Sequence, residues 1–110
     1  MVMRVQLTAS QFDLPSLEQQ AFPHGGPTLE RSRTWALRRR QEFLLGRVAA
    51  RQALTQAGAP STPLEAQEDR QCEWPSGWRG AITHAWSAGE CLAIARVERT
   101  LGPAPGVDAE

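Results

Sequence analysis

The stretch from about Leu29 to Gln56 restricts the fold of this chain more than any other feature. It carries the strongest helical signal in the sequence, and "AGAPSTP" closes it with a glycine stop and a proline beyond. At 110 residues the chain has room for one ordinary domain, residues 1–110, with a single modest core. The rest of the fold must therefore be built against this one helix.

The helix carries an unusual stripe. At about 100° per residue, Arg47 and Arg51 fall within about 20° of Arg40, because seven and eleven residues are nearly whole turns. Phe43, Ala50 and Leu54 flank that line on one side, and Leu44 and Val48 on the other. Arg38, Glu42 and Gln52 lie on the back, where Leu45 interrupts the polar pattern. Three arginines thus occupy the middle of the most apolar arc. Long arginine stems can cover apolar surface while their heads reach water, or the heads can pair with acidic residues elsewhere. The other reading is an anionic partner, a phosphate-rich ligand in a groove, since unmet charge in an apolar wall is costly.

Outside the helix the signals are shorter. Residues 1–27 are weakly patterned: "MRVQL" alternates like a short strand and "PHGGP" reads as a loop. "LEAQEDRQCEWPSGWRG" has the proline and glycine spacing of a linker. "AITHAW" and "CLAIARV" read as two strands joined through "SAGE", and the final "GVDAE" has the pattern of one more strand start. The expected class is α+β, one long helix packed on a small, mainly antiparallel sheet.

Composition removes several function classes. Hydrophobic content of 41% and a formal net charge of zero suit a folded soluble protein and give no reason to propose nucleic acid as a partner. All twelve basic residues are arginine, a bias that fixed phosphate contacts or a GC-rich coding sequence would both produce. No stretch has the length of a membrane span, and the N-terminus lacks the charged start and apolar run of a secretion signal. Cys72 and Cys91 form no motif. A cytoplasmic location is the expectation.

Three segments, in order, resemble one family. "RRRQEFLLGRVAARQAL" resembles the helix of 4′-phosphopantetheinyl transferases of the enterobactin synthase component D type. "EDRQCEWPSGWRGAITH" is similar to that family's next loop and strand, and "GVDAE" to its G-[IV]-D-x-E metal motif. The likeness covers roughly residues 38 to 110 and implies an N-terminal half of such an enzyme. These enzymes move the phosphopantetheine arm of coenzyme A onto a serine of an acyl or peptidyl carrier protein, releasing adenosine 3′,5′-bisphosphate. The resemblance assigns Arg47 and Arg51 to phosphate, with Arg40 a third on the same line. It puts Arg70 near the adenosine portion, Thr83 next to the nucleotide and His84 on a phosphate.

Asp108 and Glu110 match the family's metal ligands. If they lie on a strand, their spacing points both carboxylates to one face, and hard oxygen ligands suit Mg²⁺ beside a pyrophosphate. Read alone, they would be a solvated acidic terminus, and a lone His84 at a strand end would be a structural residue. The sequence also departs from the family. Cys72 stands at the usual proline, Ala81 replaces a common serine, and the K-E-x-x-x-K helix of the second half has no counterpart. The expected chain is therefore incomplete for transfer. The alternative is a non-catalytic half that binds coenzyme A or a nucleotide.

Overall fold

A computed structural model describes residues 2–60, 64–65 and 72–100. The chain opens with strand β1 (Val2–Thr8), a single 3-10 turn (Ala9–Gln11) and helix α1 (Leu14–Ala21). Helices α2 (Pro27–Ser32) and α3 (Leu37–Gln56) follow, then strands β2 (Trp78–Ser87) and β3 (Glu90–Arg99). The three strands form one antiparallel sheet in the order β1-β3-β2. The class is α+β, with a long helix on a small antiparallel sheet.

The helical stretch expected from Leu29 to Gln56 is broken into α2 and α3. Hydroxyl side chains compete for the backbone at the break. Ser32 Oγ donates to the Leu29 carbonyl at 2.7 Å, and Thr34 Oγ1 donates to the Arg31 carbonyl at 2.8 Å. The amides of Arg33, Thr34 and Trp35 bond three residues back, a tightened turn that ends α2. The far end of α3 follows the sequence signal. Gly58 takes φ 89°, and the amide of Ala59 closes on the Leu54 carbonyl at 2.8 Å.

Residues 1–27, weakly patterned in sequence, contain α1. Its start was written in "DLPS": Asp13 accepts a hydrogen bond from the Ser16 amide at 2.8 Å, with Pro15 in the first turn. The strand hairpin is tighter than "SAGE" suggested. Ser87 pairs with Glu90, so Ala88 (φ 50°) and Gly89 (φ 79°) form a two-residue turn with both residues left-handed, which suits the strand twist.

Helix α3 is covered on both sides. Glu42, Gly46, Ala49 and Ala53 follow one line down the helix, and this line meets the sheet. The opposite side packs on α1 and Leu64, so every residue from Leu44 to Ala50 is buried. Glu42, which the helical period puts on the polar back, thus faces the sheet with Arg38 beside it, because a helix clamped between two layers has no solvent face at its middle. Small residues let the layers approach: Gly46, Ala49 and Ala53 on the helix meet a sheet whose central strand turns Cys91, Ala93, Ala95 and Val97 inward.

Gly46 marks the closest approach. A Cβ there would lie 2.7 Å from Ile82 Cγ2, a methyl on a stiff branched side chain. Gly46→Ala should lower stability by about 1–2 kcal/mol, since overpacking outweighs the gain in helix propensity. A double-mutant cycle with Ile82→Ala, read by chemical denaturation, should show the two losses to be less than additive.

Candidate functional site

Strand β2 turns Ile82, His84 and Trp86 toward α3, and Ala81, Thr83 and Ala85 the other way, because successive strand residues alternate. His84 is exposed at the margin of the helix–sheet contact, with its Cδ2 3.8 Å from where a Cβ on Gly46 would stand. One step along the strand, the Trp86 indole N–H donates to Glu42 Oε2. The Arg38 guanidinium lies 4.1 Å from the centroid of the same ring. Arg38, Glu42 and Gly46 are successive turns of α3. Helix and strand therefore form a ledge that brings a cation, a carboxylate, an indole and an exposed imidazole together.

The arginine line faces the other way. Arg40 pairs with Glu18 of α1, which also takes Arg33 at 3.5 Å. Arg51 Nη1 donates to the Gln20 carbonyl at the C-terminal end of α1, where free carbonyls and the helix dipole favour a cation. Arg47 is 6% exposed, donates from Nε to the Leu64 carbonyl at 2.9 Å and stacks on Phe43 at 4.6 Å. Its Nη2 is buried and makes no hydrogen bond among the described residues. Burial lowers the pKa of Arg47, and lowers that of Arg51 as well. The charges in the apolar arc are thus largely met within the domain, by the next helix and by the Leu64 segment.

Among the described residues, those singled out in the sequence lie on different sides of the domain. His84 stands beside the Gly46 side of α3, Arg47 and Arg51 on the α1 side, and Thr83 on the opposite face of β2. Arg70, Asp108 and Glu110, with the expected strand at "GVDAE", lie outside the described residues. Among the described residues, which exclude Asp108 and Glu110, no group of three His, Cys, Asp or Glu side chains could hold a metal ion. Sequence reasoning missed Arg38, Glu42 and Trp86. The helical period places Arg38 and Glu42 on the polar back of the helix, and nothing in that period links them to Trp86.

The described residues before β2 are tied to the same frame. Glu65 accepts from the Thr28 amide at 3.2 Å and from the Thr28 hydroxyl, and its own carbonyl accepts from the Glu73 amide at 2.9 Å. Trp74 lies so close to Gly80 that a Cβ there would come within 2.6 Å of the indole. Only glycine fits beneath that ring.

A family model of the 4′-phosphopantetheinyl transferase N-terminal domain matches residues 30–96. The chain belongs to that family. The match takes in α3, the loop and most of the β2–β3 hairpin, and so includes the whole ledge. The chain is also 36% identical over 63 residues to the 4′-phosphopantetheinyl transferase PptT of Mycobacterium tuberculosis. The aligned segment is 57% of this chain and 26% of that relative, so the chain spans only about a quarter of the relative's length. No helix among the described residues is long and apolar enough to cross a membrane.

Cysteine titration gives a test of this packing. Burial pushes the Cys72 thiol up from 9.0 to about 11, against the opposing pull of the Arg47 charge, and burial also raises Cys91. A raised folded-state value favours the neutral thiol, so its contribution is complete below pH 9 and is lost as pH rises through about 11. The sequence has no lysine or tyrosine to titrate in that window. Stability by urea denaturation should therefore fall between pH 9 and 11, by about 2 kcal/mol at most from Cys72. In Cys72→Ala the fall should be smaller.

Proposed function

We propose that this chain is the N-terminal part of a 4′-phosphopantetheinyl transferase of the enterobactin synthase component D type, acting in the cytoplasm. The observation that carries the reading is the match over residues 30–96, which spans the segment holding the exposed His84 and the basic start of α3. In the proposed reaction a serine hydroxyl of an acyl or peptidyl carrier protein attacks the phosphorus that bears the pantetheine arm of coenzyme A. A serine–phosphorus bond forms and the pyrophosphate bond breaks. Adenosine 3′,5′-bisphosphate leaves with the electron pair, and the serine proton passes to a base.

On this reading the ledge meets part of coenzyme A. His84 presents an imidazole N–H to a phosphate oxygen. Arg38, oriented by the Trp86 ring, adds a guanidinium suited to a second contact. Arg51 and Arg47 act mainly by holding α1 and the Leu64 segment against α3, which sets the ledge. Asp108 and Glu110 are the proposed Mg²⁺ ligands, and the ion would neutralise charge on the pyrophosphate. Arg70 keeps its proposed place near the nucleotide, and Thr83, on the other face of the edge strand β2, meets it where the nucleotide passes over that edge.

The ledge, which holds groups suited to phosphate, also fits a second reading, a domain that binds coenzyme A or a nucleotide without transferring. Calorimetry on the 110-residue chain tests the common part. His84→Ala and Arg38→Ala should each weaken coenzyme A binding by roughly tenfold with little change in melting temperature. Unchanged affinity in both would remove the ledge from the site. With coenzyme A, Mg²⁺ and an apo carrier protein, the chain alone should transfer nothing. A phosphopantetheine adduct on the carrier serine, read by mass spectrometry, would show that these residues suffice.

A further inference from the structure

The sheet has a second face, and nothing in the described chain covers it. Antiparallel register sets its side chains in rows across β1, β3 and β2: Val2–Glu98–Arg79, Arg4–Arg96–Ala81, Gln6–Ile94–Thr83, and Thr8–Leu92–Ala85. The other face of β3 is fully occupied by the core, whereas Leu92 and Ile94 lie outside the core cluster and are only half-buried. Val2 is 46% exposed on the same side.

Charge on this face is unbalanced. Glu98 is taken by Arg79, and Glu90 Oε2 accepts from the Ser10 amide at 3.0 Å. Arg4 and Arg96 remain, directly opposite one another on neighbouring strands, where like charges repel. Arg4 reaches only the neutral Gln6, at 3.4 Å, and Arg96 has no ion pair or side-chain hydrogen bond among the described residues. Ala81 completes that row without bulk and leaves a depression of about 210 Å³ beside Arg96, Arg79 and Val2. The face thus offers two adjacent guanidinium groups that have no carboxylate partner among the described residues, with two aliphatic side chains next to them along β3.

We propose that this open sheet face docks an acidic polypeptide segment, with Arg4 and Arg96 taking its carboxylates and Ile94 and Leu92 its apolar side chains. Carboxylates match the planar guanidinium fork, and placing them between the two arginines removes the cross-strand repulsion on binding. A second copy of this chain is a poor occupant, since it would set arginine against arginine.

The experiment uses the full 110-residue chain and a synthetic peptide with two glutamates at alternate positions, followed by valine and leucine at the next two alternate positions. Amide chemical shifts should move at Arg4, Leu92, Ile94 and Arg96. The dissociation constant should rise roughly tenfold or more in Arg4→Thr/Arg96→Thr, and affinity should fall with added salt. The double variant should melt no lower than the parent, since the removed charges have no partner of their own. Arg96→Gln is the milder second variant and should weaken binding in the same direction. Equal binding of a glutamine-for-glutamate peptide, or unchanged affinity in both variants, would sink the proposal. So would a concentration-dependent dimer that the double variant abolishes, or inorganic phosphate shifting these amides while the peptide does not.

Discussion

Everything else in this domain depends on the close contact between α3 and the sheet. Gly46 has no side chain, Ala49 and Ala53 have one methyl each, and Ala93 and Ala95 answer them from the central strand. Small faces bring two rigid layers together, so dispersion contacts are dense, with Ile82 and Trp86 packed at their margin. The same approach sets the height of β2 against the helix. It thereby sets the position of His84 beside Gly46 and of Trp86 beside Glu42.

A helix clamped in this way has to satisfy charge on its outer side as well. Arg40, Arg47 and Arg51 meet, in turn, a carboxylate, a backbone carbonyl near Phe43, and the carbonyl end of a neighbouring helix. They act as ties between α3 and what covers it, so losing one would cost packing as well as charge. The cations that reach the exposed ledge are those at the start of α3, before the covering layer begins.

In the family that this chain belongs to, the domain described here is one part of a longer enzyme. Two exposed surfaces among the described residues differ in chemistry. The ledge combines an imidazole, a guanidinium and an indole at the edge of the helix–sheet contact, suited to a phosphate-bearing ligand. The open sheet face combines paired guanidinium groups with aliphatic side chains, suited to a polypeptide. Thr83 belongs to the second surface and His84 to the first, although they are adjacent in sequence.

Local rules in the sequence determined several features by themselves. The body and C-terminal stop of α3, the β2–β3 hairpin and the α+β class follow from periodicity and from the backbone freedom of Gly58 and Gly89. The cap at Asp13 and the hydroxyl-rich break at Ser32–Thr34 are local signals of the same kind. The "EFLLGR" and "GAITH" segments carried the family. Only the tertiary structure decided which side of α3 meets the sheet, because a helix buried all round has no amphipathic stripe to orient it. It also decided that the arginine line is held by α1 and the Leu64 segment, and that Arg38 shares a surface with His84. Those outcomes depend on contacts between residues distant in sequence, such as Glu18 with Arg40 and Glu42 with Trp86, and no local period encodes such pairings.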